Sequence, residues 1–110
     1  MYVLNTLIVP INFDEHREVV VVMRRVSVEE AREVLKSGFV SAVGHEATAK
    51  LLTQLLGVEV PYSRATVYMK PGDRAIHFYL KTRLPEGKVL TLEELKKLDY
   101  WLVLSQVVPA

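Results

Sequence analysis

The chain has 110 residues, of which 50% are hydrophobic and 25% are charged, and its formal net charge is +1 at pH 7. A chain of this length and composition is expected to fold as one globular domain with its own core, since disordered chains carry fewer apolar side chains. Cysteine is absent, which excludes disulfide bridges, thiolate metal ligands and cysteine nucleophiles.

The charge balance and the hydropathy pattern also limit the partners of this chain. The small net charge argues against a general affinity for duplex nucleic acid. No apolar run approaches the roughly 20 residues that a membrane-spanning helix needs, and the N-terminus lacks the features of a signal peptide. We therefore expect a cytoplasmic protein that does not bind membranes.

Five segments rich in β-branched and apolar side chains predict strands: residues 2–9, 18–26, 65–70, 75–81 and 100–108. The run Val19-Val20-Val21-Val22 does not alternate with polar residues, so both faces of the second strand are expected to be covered. The turn sequence Pro71-Gly72-Asp73 predicts that the third and fourth strands form an antiparallel hairpin.

Three segments predict helices: residues 27–36, 45–56 and 91–98. Capping boxes begin the first and the third, at Ser27-Val28-Glu29-Glu30 and Thr91-Leu92-Glu93-Glu94. Apolar side chains recur at helical spacing in the second, which Gly57 ends. The element order predicts a single α/β domain over residues 1–110, with a mixed five-stranded sheet and about three flanking helices.

The segment Gly44-His45-Glu46-Ala47-Thr48 carries the main functional signal. It lies where an apolar segment, residues 39–43, gives way to the second predicted helix. A helix N-terminus presents unpaired N–H groups and partial positive charge, and so it can bind phosphate. A histidine at this position can contact an anion and transfer a proton. Polar residues at helix starts are also common as caps, so the position alone leaves both roles open.

The remaining histidines and the common motifs give weaker signals. His16 lies in a predicted exposed loop, and His77 lies within a predicted strand, where packing or solubility is the usual role. The sequence contains no His-Glu-x-x-His, no Gly-x-Gly-x-x-Gly, no Walker loop and no Gly-x-Ser-x-Gly. We therefore expect no metal ion and no cofactor.

Two arginines are candidates for phosphate contacts. Arg83 begins the sequence Arg83-Leu84-Pro85-Glu86-Gly87 after a predicted strand, and Arg64 precedes another. Arginine grips phosphate oxygens in a bidentate way, and Glu86 could pair with an arginine or accept a hydrogen bond from a sugar hydroxyl. An ordinary loop with a local ion pair and an exposed charge at a strand end explain these residues equally well.

Taken together, these motifs occur in an order that resembles the viral anti-CRISPR ring nuclease family, which is widespread in archaeal viruses and also found in some prokaryotic genomes. The resemblance covers almost the whole chain. Its segments are Tyr2-Val3-Leu4-Asn5-Thr6, residues 38–48, Leu55-Leu56-Gly57-Val58, Arg64, Gly72-Asp73-Arg74-Ala75 and residues 83–90. Some viral members carry a ligand-contacting serine in the first loop, near the place where this chain has Val9 and Pro10.

The resemblance implies a homodimer that cleaves cyclic tetra-adenylate, the second messenger of type III CRISPR defence, in the cytoplasm of the host cell. It implies that His45 and Glu86 are catalytic. The residues expected to bind the substrate are Arg83, Arg64, Gly44, Thr48 and Asn5. The expected products are linear di-adenylates that end in a 2′,3′-cyclic phosphate, formed at a rate that falls as the pH rises above neutrality.

Two other functions fit the same residues. A binding protein would sequester the cyclic nucleotide without cutting it, and it would not need His45 for turnover. A nucleic-acid-binding or structural viral protein would need a basic stripe, which a net charge of +1 disfavours.

Overall fold

The computed structural model describes residues 1–81, 91–97 and 99–109. Its elements in chain order are β1 (Tyr2–Leu4), β2 (Val21–Val26), α1 (Val28–Leu35), β3 (Val40–Ser41), α2 (Glu46–Leu56), β4 (Arg74–Leu80), α3 (Leu92–Lys96) and β5 (Tyr100–Val107). They confirm the predicted α/β domain with a mixed five-stranded sheet and three helices among the described residues. None of these helices is long and apolar enough to cross a membrane.

The strands of the sheet lie in the order β2-β5-β4-β1-β3. The central strand β4 pairs in parallel with β1 and antiparallel with β5, β1 also pairs in parallel with β3, and β2 pairs antiparallel with β5. The parallel strands β1, β3 and β4 therefore finish on the same side of the sheet, which we call the carboxyl end. Loops that follow parallel strands at this end are the usual position of ligand sites in α/β folds.

Two apolar clusters hold the sheet between its covering layers. The larger cluster joins α1 and α2 to one face of the sheet and includes Leu35, Leu52, Leu56, Ile76 and Phe78. The smaller cluster lies where the loops before β2 and before β4 cover the sheet, and it is built from Leu4, Met69, Ala75 and Val107. Burial of this apolar surface is the main term that favours the folded state.

The local helix signals are confirmed. The Ser27 hydroxyl accepts a hydrogen bond from the Glu30 N–H at 3.1 Å, and the Glu30 carboxylate accepts one from the Ser27 N–H at 3.2 Å. The same reciprocal pair joins Thr91 and Glu94, at 3.2 and 3.4 Å. Gly57 ends α2 with φ of 69°, a left-handed conformation that glycine adopts without steric cost.

The predicted hairpin of residues 65–70 and 75–81 is wrong. The turn itself forms, because the Asp73 N–H donates to the Lys70 carbonyl at 2.9 Å and Gly72 has φ of 94°. Residues 65–70, however, form no strand, and Met69 makes only an isolated bridge to Ile11. A strand has two sides for pairing, and on β4 both are taken, by β1 and by β5. The fifth strand of the sheet is the short β3 instead.

The prediction that both faces of the second strand are covered is also wrong. β2 begins at Val21 and lies at the edge of the sheet. Val20 and Val22 are 57% and 55% exposed. The β-branched run gives strand propensity, whereas the number of neighbours is set by the topology of the whole chain. The first strand is shorter than predicted too, because β1 ends at Leu4.

Candidate functional site

His45 is the N-cap residue of α2. Its backbone is extended, with φ of −128° and ψ of 121°, and its carbonyl accepts a hydrogen bond from the Ala49 N–H at 2.9 Å. The imidazole is exposed and makes no capping hydrogen bond. The side chain therefore does not serve as a cap, which was the alternative role for a polar residue at this position.

Hydrogen bonds between two segments fix the backbone that leads to His45. After β3, the Ser41 hydroxyl donates to the Pro61 carbonyl at 2.6 Å and accepts from the Val43 N–H at 3.3 Å. The Ser63 N–H then donates to the Val43 carbonyl at 2.9 Å. Ser41 is buried, so these bonds lie out of competition with water and hold residues 61–64 beside residues 41–44.

This pairing brings Arg64 against Gly44. A Cβ atom added to Gly44 would lie 3.9 Å from the Arg64 Cγ and 3.9 Å from the Ser63 carbonyl oxygen. Arg64 is exposed and has no ion-pair partner among the described residues. Arg64, which was predicted separately from the segment that contains Gly44 and His45, thus lies against that segment at the start of α2.

Asn5 and Thr48 lie in the same part of the fold. Asn5 follows the last residue of β1, and Thr48 belongs to the first turn of α2, which follows β3. Both are half-buried. Because β1 and β3 are adjacent and parallel, the two residues lie at the carboxyl end of the sheet. The backbone N–H of Thr48 belongs to the first turn of the helix, where N–H groups lack partners within the helix.

Glu86, predicted to be catalytic, and Arg83, predicted to bind the substrate, fall outside the described residues. The strand that precedes them, β4, ends at Leu80 on the carboxyl end of the sheet, next to β1. Their predicted roles stay predictions.

The electrostatic setting at the start of α2 favours an anion. The partially positive end of the dipole of this 11-residue helix lies at Glu46. The exposed Arg64 adds a full positive charge nearby. Glu46 is the acidic residue of the first turn, and it lies 3.7 Å from Lys50 in an exposed pair. A phosphodiester placed between the helix start and Arg64 would lie close to the His45 imidazole.

His77 has the opposite environment. It is fully buried on β4, with its Nδ1 atom 2.7 Å from the Thr6 carbonyl oxygen and its Nε2 atom 2.7 Å from the Ser105 Oγ. Since a carbonyl only accepts, Nδ1 carries the proton and donates it, and Nε2 accepts from the Ser105 hydroxyl. Desolvation lowers the pKa of His77, against the smaller opposing effect of the Thr6 hydrogen bond. The predicted packing role of His77 fits this geometry.

The hydrogen bond between His77 and the loop after β1 could not be predicted from the sequence. The two residues that bind the imidazole are 71 and 28 positions away in the chain, and no local pattern links them. His16, the third histidine, is half-buried in the loop before β2. Among the described residues, no group of three or more His, Asp or Glu side chains is arranged to hold a metal ion.

The chain is similar to proteins of viruses that infect archaea. A family model described as STIV B116-like matches residues 1–102. Uncharacterized protein 26 of Sulfolobus islandicus filamentous virus is 43% identical over 110 residues, which cover 98% of this chain and 92% of the relative. Uncharacterized protein ORF117 of Acidianus two-tailed virus is 47% identical over 104 residues, covering 91% and 86%.

A solved structure supports the fold independently. B116 of Sulfolobus turreted icosahedral virus matches with a TM-score of 0.78 over 96% of this chain and 97% of that chain, at 22% sequence identity. At this identity the match establishes the architecture and not the activity.

Proposed function

The chain belongs to the STIV B116-like family of archaeal viral proteins, and we propose that it is a ring nuclease that cleaves cyclic tetra-adenylate and so inhibits type III CRISPR defence. The motifs that resemble viral ring nucleases support this proposal. The observation that carries it is the position of His45, an exposed residue at the start of α2 that follows Gly44, against which Arg64 lies.

The first part of the proposed mechanism is the binding of one phosphodiester at the start of α2. Unpaired N–H groups of the first turn and the Arg64 guanidinium offer donors and positive charge to the phosphate oxygens. Gly44 leaves the backbone open on the side of Arg64, since no Cβ stands between them. Asn5 and Thr48 contribute polar groups from the neighbouring loop and the first helical turn.

The second part is an intramolecular attack that needs no external nucleophile. The 2′-oxygen of the ribose forms a bond to the adjacent phosphorus while the bond from phosphorus to the 5′-oxygen breaks. His45 donates a proton to the departing 5′-oxygen, and the proton of the 2′-hydroxyl leaves to a base, for which Glu86 is the candidate. A positioned acid of this kind contributes about 10²–10⁴-fold to the rate. Alignment of the ring and charge stabilisation supply the rest.

A twofold dimer fits the symmetry of the substrate. A ring of four identical nucleotides can lie on a twofold axis, so that two copies of His45 face opposite phosphodiesters. Such a dimer has to bring the start of α2 close to the axis. The outer strand β2 is four strand spacings away from β3, or about 19 Å. A dimer paired through β2 would hold the two histidines too far apart, and so we place the proposed interface at the other side of the sheet.

The proposal is tested by incubating the protein with labelled cyclic tetra-adenylate in EDTA and identifying the products. Linear di-adenylates with 2′,3′-cyclic phosphate ends would support a ring nuclease that works without a metal ion. Tight binding of an intact ring would show a sequestering protein instead. Loss of cleavage in EDTA that returns with a divalent cation would contradict the mechanism. Duplex DNA serves as the control ligand, because no binding to duplex nucleic acid is expected.

A further inference from the structure

A groove of about 460 Å³ runs along α2 from its first turn. One wall is the helix face that carries Glu46, Lys50 and Gln54, which are spaced four residues apart and so lie above one another. The opposite wall is the segment from Glu59 to Tyr62, where the chain returns beside the helix. A volume of this size lies within the range of small-molecule sites.

The groove lies next to the candidate site in the chain. Glu46, which lines the groove, follows His45 directly. Tyr62 is held in place by a parallel bridge to Val43, and Arg64 follows two residues later against Gly44. The same pairing of segments therefore positions a cation at the helix start and an aromatic ring in the groove.

Two side chains in the groove have groups available for a ligand. Tyr62 is 48% exposed, which leaves an aromatic surface open to solvent. The Gln54 side chain is exposed and makes no hydrogen bond with the described residues. A glutamine amide donates and accepts at once, and this pattern matches the edge of adenine that presents its exocyclic amine and N7. Aromatic rings bind nucleobases by stacking on their faces.

The charges of the groove favour a base over a phosphate. Glu46 and Glu59 place two carboxylates on its walls, and Lys50 lies within 3.7 Å of one of them. Carboxylates repel phosphate oxygens but accept hydrogen bonds from an amine. The start of α2, beside Arg64, has the opposite preference. One nucleotide that bridges the two regions would put its phosphate at the helix start and its base in the groove.

We infer that this groove is an adenine subsite, in which Tyr62 stacks on the base and Gln54 reads its edge, for the nucleotide whose phosphate lies at His45. This inference rests on the proposed ring nuclease function and adds the residues that select the base. Gln54 lies nine residues after His45, roughly 13 Å along the helix axis. A base with its sugar covers most of this separation, and the Gln54 side chain, which tilts toward the start of the helix, covers the rest.

The test compares Tyr62→Leu and Tyr62→Phe with the matched control Tyr68→Leu, because Tyr68 is 55% exposed but does not line the groove. Rates are measured with cyclic tetra-adenylate, after thermal unfolding has shown that each variant is folded. We expect Tyr62→Leu to raise KM about tenfold or more with little change in kcat, consistent with loss of a stacking contact. Tyr62→Phe keeps the ring and should stay within about twofold of the wild type, as should Tyr68→Leu.

Gln54→Leu tests base selection separately. The wild type should cleave cyclic tetra-adenylate at least tenfold more efficiently than the corresponding ring of inosines, which lack the exocyclic amine, and Gln54→Leu should reduce this ratio severalfold. If the wild type cleaves the ring but Tyr62→Leu behaves like Tyr68→Leu and the base preference of Gln54→Leu is unchanged, the subsite is wrong and the function stands. If the wild type neither binds nor cleaves the ring, both fall together. Should Tyr62→Leu fail to fold, the ratio for Gln54→Leu decides alone.

Discussion

The start of α2 and the centre of the sheet each hold a histidine. The two imidazoles differ in exposure and in hydrogen bonding, which decide what each ring can do. At the start of α2, His45 is exposed and makes no capping hydrogen bond. At the centre of the sheet, both ring nitrogens of His77 lie 2.7 Å from a partner, and the residue has no exposed surface. A buried ring that is hydrogen-bonded at both nitrogens stabilises the fold, whereas an exposed ring can exchange a proton with a ligand.

The residues around the two histidines differ as well. His45 stands at a helix start and follows Gly44, which lies against the exposed Arg64, and both the helix start and the arginine favour an anion. The His77 ring, on β4, is hydrogen-bonded to the Thr6 carbonyl in the loop after β1 and to the Ser105 hydroxyl on β5. These two bonds link the loop and the two strands. The four predictions that follow separate a role in chemistry from a role in stability, in order of decreasing effect.

His45→Ala should lower kcat for cyclic tetra-adenylate by about 10²–10⁴-fold, because the general acid is lost. Its free energy of unfolding should stay within about 0.5 kcal/mol of the wild type, since the side chain makes no capping bond. Single-turnover rates and urea unfolding measure the two quantities. His16→Ala is the matched control and should change neither. A His45→Ala protein that cleaves the ring at the wild-type rate would remove His45 from the chemistry.

His77→Ala should lower the free energy of unfolding by about 3 kcal/mol. The substitution leaves the Thr6 carbonyl and the buried Ser105 hydroxyl without their partner, and a buried polar group left unpaired costs about 1–3 kcal/mol, in addition to the packing lost with the buried ring. Ser105→Ala removes one of the two bonds and should cost less. Denaturant unfolding measures all three proteins. Equal stability of His77→Ala and the wild type would contradict a structural role for the buried ring.

The stability of the wild type should fall as the pH drops below about 6.5, the ordinary pKa of histidine. Burial lowers the pKa of His77 in the folded state, so below pH 6.5 the unfolded chain binds a proton that the folded protein does not bind. Stability therefore rises with pH in this window, by at most about 1.4 kcal/mol per pH unit for one group. His77→Asn, which keeps a donor for Thr6, should lack this part of the slope. If the stabilities of the wild type and His77→Asn changed with pH in the same way, His77 would not be the source of this slope.

Gly44→Ala should reduce the rate of ring cleavage severalfold without a loss of stability. Gly44 has no positive φ, and an added Cβ would meet atoms no closer than 3.9 Å, so the fold accepts alanine while the side that faces Arg64 becomes more crowded. Gly57→Ala is the opposite case. It has φ of 69° and a Cβ would lie 3.4 Å from the Arg32 Nε, so alanine there should cost about 1 kcal/mol and leave the rate unchanged. Reversed effects of the two substitutions would contradict this assignment.

The sequence predicted the parts of the fold that depend on neighbouring residues. Both capping boxes and the glycine that ends α2 act over three or four positions, and all three formed as expected. The pairing of strands depends on distant segments. The turn at Pro71-Gly72-Asp73 formed without its hairpin, because the place beside β4 was taken by β5 from 20 or more residues further along the chain.

In the candidate site, too, features that depend on neighbouring residues were predictable and contacts between distant residues were not. The position of His45 at a helix start was predicted from local sequence, and the structure bears it out. The contact between Gly44 and Arg64 was not predictable, since it depends on the bond from Ser41 to Pro61 across 20 positions. The position of Tyr62 in the groove was not predictable for the same reason, because it depends on the bridge between Tyr62 and Val43.

The most direct test of the central claim measures single-turnover cleavage of cyclic tetra-adenylate by His45→Ala and His77→Ala side by side, at equal concentrations of folded protein. We expect that His45→Ala still binds the ring but cleaves it at least about 100-fold more slowly than the wild type. His77→Ala, once folded, should keep its rate within about tenfold. Undiminished cleavage by His45→Ala, or a larger loss in His77→Ala than in His45→Ala, would contradict the central claim.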